Sequence, residues 1–185
     1  MTLASCDSGP QVGGKPLSHW IDALEDQSGS TVDEALGMIA QVDKSLAEPA
    51  RMPLAKVAES GKNANLRGKA AVVYFQKFGE VKTSSMEPLL HVLRFDNDNT
   101  NLLGSSRALS AMADHSDELI PKTIEILLKN DEPASMRSMA ATNVLTAMGR
   151  PALDALEKLP RQTDAFKQME IDVAIETVRD GLASQ

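Results

Sequence analysis

Cysteine is nearly missing from this sequence, with Cys6 standing alone among 185 residues. An internal disulfide is therefore excluded, and so is a metal site built on several thiolates. Aromatic residues make up only 3%, and β-branched residues are thin beside Ala, Leu and Met. Strands favour the residues that are scarce here and helices those that are plentiful, so the composition predicts an all-α chain. Positive charge is in deficit, 19 Lys and Arg against 26 Asp and Glu, for a net charge of -7. That balance argues against nucleic acid as a partner, because phosphate neutralisation dominates affinity there. Long apolar runs are missing as well, and no segment approaches the roughly eighteen apolar residues of a membrane span.

The chemistry that a motif search would offer fails on inspection. Gly9 and Gly14-Lys15 imitate a phosphate-binding loop, but Pro16 stands where Ser or Thr must hold magnesium, and no strand precedes it. Asp96-Asn97-Asp98-Asn99-Thr100 has the beginning of a calcium loop, yet Asn101 replaces the required Gly and Arg107 the required Glu. A helix-capping turn is the expectation there. His19, His91 and His115 are scattered, and only His115 with Glu118 has helical ligand spacing, without a third partner. No metal site, cofactor or catalytic residue is expected, and the protein is read as a non-enzyme.

Charge is unevenly spread. Residues 51–82 carry seven basic and two acidic side chains between two acidic flanks. Lys62, Arg67, Lys69 and Lys77 of this segment form a candidate binding stripe for an anionic surface; the plainer reading pairs them with acidic neighbours. Met38, Met112, Met136, Met139 and Met148 recur at helical spacing, which predicts core positions rather than a Met-rich recognition groove.

At the amino terminus, Leu3-Ala4-Ser5-Cys6 resembles the lipobox of bacterial lipoproteins, in which the cysteine is lipidated and opens the mature chain. The Gly-rich run to Gly14 then has the composition of a tether, so residues 1–15 are expected to be flexible. The match departs from the pattern in one respect: five residues precede Cys6, too few for the basic region and apolar run of an export signal. The resemblance implies an exported protein, periplasmic or membrane-anchored through Cys6, with the cytoplasm as the alternative.

The internal repeat is the strongest signal. Pro16, Pro53, Pro88, Pro121 and Pro151 recur at intervals of 37, 35, 33 and 30 residues, and each is followed by a one-sided apolar stripe such as Leu89, Leu90 and Leu93. Proline is tolerated in a first helical turn, so all five are read as helix starts. Second helices match more closely: Leu66-Arg67-Gly68-Lys69-Ala70-Ala71, with Gly79 at its end, superposes on Met136-Arg137-Ser138-Met139-Ala140-Ala141, with Gly149 at its end. Arg107 to Met112 is taken as the intermediate copy, with degenerate copies at 31–43 and 166–182. Paired alanines permit close helix approach and the glycines suit left-handed caps.

A proline-opened first helix and a second helix with this Arg and Ala-Ala pattern, at a period in the thirties, resemble the HEAT repeat family over residues 16–183. The resemblance implies an all-α, right-handed α-solenoid of about five helix hairpins, with Trp20 plugging the open end of the first. It also implies a monomeric scaffold that binds a protein partner on its concave second-helix face, with Arg67 and Arg137 bonding to neighbouring turns. An accessory or lyase-type subunit holding a ligand in the concave groove is the alternative, and end-to-end structural assembly a third reading. Predicted bacterial lipoproteins built from such repeats open similarly to Gly14-Lys15-Pro16-Leu17.

Overall fold

Four of the helices begin where a short polar side chain accepts the N–H groups a helix leaves unpaired at its start. The computed structural model describes residues 9–26, 28–130 and 135–184. Among these residues lie ten α-helices: α1 (Leu17–Ala23), α2 (Gly29–Gln41), α3 (Arg51–Ser60), α4 (Ala64–Phe78), α5 (Met86–Phe95), α6 (Asn99–Ser110), α7 (Ser116–Lys129), α8 (Met136–Met148), α9 (Arg150–Glu157) and α10 (Ala165–Ala183). The all-α expectation is met. Asn63, Asp98, Ser135 and Asp164 accept backbone N–H bonds at the starts of α4, α6, α8 and α10. Asp98, on the segment that imitates a calcium loop, takes the N–H groups of Thr100 and Asn101 at 2.8 and 3.0 Å. Helices α3, α5 and α7 instead run on from 3₁₀ turns at Glu48–Ala50, Thr83–Ser85 and Ala113–His115.

The even-numbered helices touch in order, α2 on α4, α4 on α6, α6 on α8 and α8 on α10, while α5, α7 and α9 form a second row. Leu54, Leu89, Leu93, Leu109, Leu127, Leu145 and Leu156 fill the space between the rows and are fully buried. Ala70, Ala140 and Ala141 show no accessible surface, as positions facing a neighbouring backbone must. Gly79 ends α4 at φ 71°, in the left-handed cap expected of it. Gly149 also has positive φ, at 64°, but its ψ of -135° lies outside that cap, because one residue must both end α8 and open α9.

Two sequence assignments are corrected. Pro53, Pro88 and Pro151 lie within the first three residues of α3, α5 and α9, but Pro121 sits inside α7, which starts a turn earlier at Ser116. Both Pro121 and Asp117, whose carbonyl the proline cannot serve, are exposed, so water can take that carbonyl and the helix continues. Arg107 does not open a second helix. It is an exposed residue in the last turn of α6, whose start is fixed nine residues earlier by the Asp98 cap.

Residues 1–8 of the expected tether, Cys6 included, lie outside the described residues. The rest of it is built into the packed unit. Gln11–Val12 (β1) pairs antiparallel with Lys15–Pro16 (β2) through a Gly13-Gly14 turn in which both residues have positive φ, as a two-residue hairpin loop requires. Trp20, 3% exposed, lies beneath this hairpin and donates its indole N–H to the Val12 carbonyl at 2.9 Å. Buried tryptophan needs such a partner, and the hairpin supplies it.

Candidate functional site

The basic segment is occupied mainly with holding helices together. Arg67 of α4 donates from Nη1 to the carbonyl of Gly61, the cap of α3, at 2.9 Å. Lys77 of α4 donates to the carbonyls of Ala40, at 2.7 Å, and Val42, at the end of α2. Burial holds its ammonium below the ordinary lysine value, against the pull of Asp43 and aided by Lys44. Arg137 of α8 treats α5 similarly, donating to the carbonyls of Leu93 at 3.1 Å and Asp96 at 2.7 Å. All three place a cation on unpaired carbonyls at the negative end of a helix dipole. Lys69 pairs with Asp33 at 2.8 Å, and Lys62 lines a cavity of about 310 Å³ bounded by Glu25, Pro53 and Lys56. Two of the four stripe residues therefore point into helix ends, and the other two line separate cavities.

The histidines do not converge. Lys15 Nζ donates to His19 at 3.0 Å, His91 lies against Phe95, and His115 pairs with Thr83 at 3.2 Å. Among the described residues no group of three His, Cys, Asp or Glu side chains could hold a metal ion. No described helix is long and apolar enough to cross a membrane.

Exposed apolar surface collects elsewhere. Seven large hydrophobic side chains are exposed among the described residues, and four of them, Met139, Phe166, Met169 and Val173, belong to α8 and α10. Met139, Met169 and Val173 line a groove of about 260 Å³ between these helices, together with Ser138, Thr142 and Thr177. Helix α10 buries Ile171, Ala174 and Val178 and turns the opposite, apolar stripe outward. Met139 corrects the core assignment, being 46% exposed, whereas Met112 and Met148 are buried as expected and Met38 and Met136 are half-buried. Sequence periodicity could not separate them. Helix α8 buries Ser138, Ala140, Ala141, Thr142, Val144, Leu145 and Met148, which leaves only a narrow outward strip with Met139 on it.

Compared with protein-family models, curated proteins and solved structures, the chain matches none of them.

Proposed function

We propose that the chain is a right-handed α-solenoid of about five HEAT-like hairpins serving as a non-enzymatic, protein-binding scaffold. The observation that carries the binding reading is the uncovered apolar groove of Met139, Met169 and Val173 between α8 and α10. A contiguous apolar strip with a polar rim is what a docking partner covers, and thioether side chains adapt to varied apolar anchors. The solenoid reading is supported by the order in which the even-numbered helices touch. It is supported too by the recurring local pattern of 3₁₀ turn, helix and capped helix over α3 to α8. The groove lies on the second-helix row, the concave side in the family that the repeats resemble. The same reading takes the protein as exported and tied to a membrane through a lipidated Cys6, on the strength of Leu3-Ala4-Ser5-Cys6.

The test is photo-crosslinking in cells of the source organism, with a photoreactive residue at position 139 or 173 and a control at exposed Lys158 after α9. Discrete protein adducts from 139 and 173, with none from 158, are expected. Equal labelling from all three would overturn the groove as a binding face. Mass spectrometry of the amino-terminal peptide from the same cells tests the lipid, which adds a diacylglyceryl group to Cys6 or does not.

A further inference from the structure

We infer that the partner of the α8–α10 groove is an amphipathic helix that carries Lys or Arg about two turns beyond its apolar anchors. This rests on the protein-binding reading above and adds the chemistry of what binds. At 100° per residue, Phe166, Met169, Val173, Glu176, Thr177 and Asp180 fall within about 100° of one another on α10, a single stripe. All six are exposed. The stripe changes character along its length: Phe166, Met169 and Val173 are apolar, and Glu176 and Asp180 are acidic. From Val173 to Asp180 the rise is roughly 10 Å.

The carboxylates at the far end, unlike most of their acidic neighbours, are not tied up in an ion pair or a cap. Glu157 is paired with Arg179 at 2.7 Å, Asp154 with Arg150 at 2.8 Å, Asp164 is spent as a cap, and Asp172 accepts from Gln168 at 2.8 Å. Glu176 and Asp180 join none of the ion pairs made among the described residues. The groove itself is lined by Ser, Thr, Asn, Met, Val and Glu170, with no lysine or arginine among its lining residues. A cationic helix therefore meets complementary charge where its apolar stripe ends, and an acidic one meets like charge. The groove is bounded by two helices, whose backbone groups are already paired along their lengths, so no sheet edge is offered to an extended strand. A helix laid into the groove, anchored at i, i+3 or i+4 and i+7, is the recognition mode that fits.

The experiment is selection of a phage-displayed library of amphipathic helices, randomised in the residues flanking a fixed apolar stripe, against the full chain. Two double variants, M169S/V173S and E176K/D180K, serve as counter-targets. All four positions are exposed, and circular dichroism confirms that each variant keeps its helices. Selected helices are expected to be enriched in Lys and Arg on one flank, to lose binding on M169S/V173S, and to bind E176K/D180K about tenfold or more weakly. Selected helices that need Met169 and Val173 but carry neutral or acidic flanks would overturn the inference and leave the groove standing. Helices indifferent to M169S/V173S, or no enrichment at all, would overturn both. Sedimentation showing a concentration-dependent dimer that M169S/V173S abolishes would assign the groove to a second copy, and would overturn the inference as well.

Discussion

A Cβ placed on Gly68 of α4 would lie 2.3 Å from the carbonyl oxygen of Pro88 in α5. The same atom would come within 2.4 Å of the Val92 side chain, so neither the backbone of α5 nor its packing leaves room. Gly68→Ala is expected to force α4 and α5 apart and to cost about 2–4 kcal/mol, read as a lowered urea midpoint. Gly37→Ala in α2 is the control, since nothing lies within 4 Å of its added methyl and it is exposed in a helix interior. That change should stabilise by about 0.5–1 kcal/mol through helix propensity. Equal effects of the two substitutions would refute the close approach.

The cations that close helix ends give a second prediction. Arg137→Ala leaves the carbonyls of Leu93 and Asp96 without their donor, and Lys77→Met does the same to Ala40 and Val42. Each is expected to cost about 1–3 kcal/mol, because charge-assisted bonds to partly buried carbonyls are lost without replacement. Hydrogen exchange locates the damage: amides in the last turn of α5 should lose protection in the first variant and those in the last turn of α2 in the second. Loss of stability without this localisation would count against the capping role. Arg137→Lys should not restore α5 fully, since a single ammonium does not reproduce the planar guanidinium's separate Nε and Nη2 donors to Leu93 and Asp96.

Much of this was legible in the chain itself, and the exceptions have physical causes. The spacing of Pro53 and Pro88 and the paired Ala70-Ala71 and Ala140-Ala141 find α3, α5, α4 and α8, because local backbone chemistry and close helix contact both leave marks on residue type. Pro121 misleads, since a proline on a solvent-facing turn costs little and so is not confined to helix starts. Arg107 misleads similarly: matching a short motif ignores the cap at Asp98 that sets the frame of α6. Gly13-Gly14 has the composition of a linker and equally that of a two-residue hairpin turn, and the indole of Trp20 bonded to Val12 favours the turn. The stripe on α10 escaped notice because Phe166, Met169 and Val173 have the same period as a buried face. Which of two apolar faces meets α8 is decided by neighbours far away in the chain.

The ion pairs of Lys122 predict a pH dependence of stability. Lys122 of α7 donates to Glu118 at 2.6 Å and also to Glu87 of α5. The bond to Glu118, then that to Glu87, holds the ammonium above the ordinary lysine value, and the bond from Lys122 holds Glu118 below the ordinary carboxylate value. The lysine's contribution is thus complete below its unfolded pKa and is lost as pH rises through the raised folded value. The glutamate's is complete above its unfolded pKa and is lost as pH falls through the lowered folded value. The urea midpoint should therefore be flat from above the glutamate range to below the lysine range and fall on both sides. Lys122→Met should lower the plateau slightly and flatten both limbs. An unchanged profile would show that the exposed pair is screened to insignificance, as many surface pairs are.

Trp20, as the single tryptophan, makes the amino-terminal hairpin directly observable. Its indole is 3% exposed and hydrogen-bonded to Val12, so native emission is expected at the blue end of the tryptophan range. The cover depends on Gly13, whose φ of 60° is unfavourable for a β-branched residue and whose added Cβ would approach the Met38 sulfur to 2.9 Å. Gly13→Val should therefore unseat the hairpin, at a local cost of about 1–3 kcal/mol. The consequence is specific. Emission should move to the red and acrylamide quenching should rise, while far-ultraviolet circular dichroism stays close to the parent's, because the hairpin packs mainly on α1 and α2. Red-shifted emission in the unmodified protein would mean that the indole is not covered. An unshifted Gly13→Val variant would mean that Trp20 is buried by α1 and α2 alone, and that the hairpin is not what seals this end of the helical array.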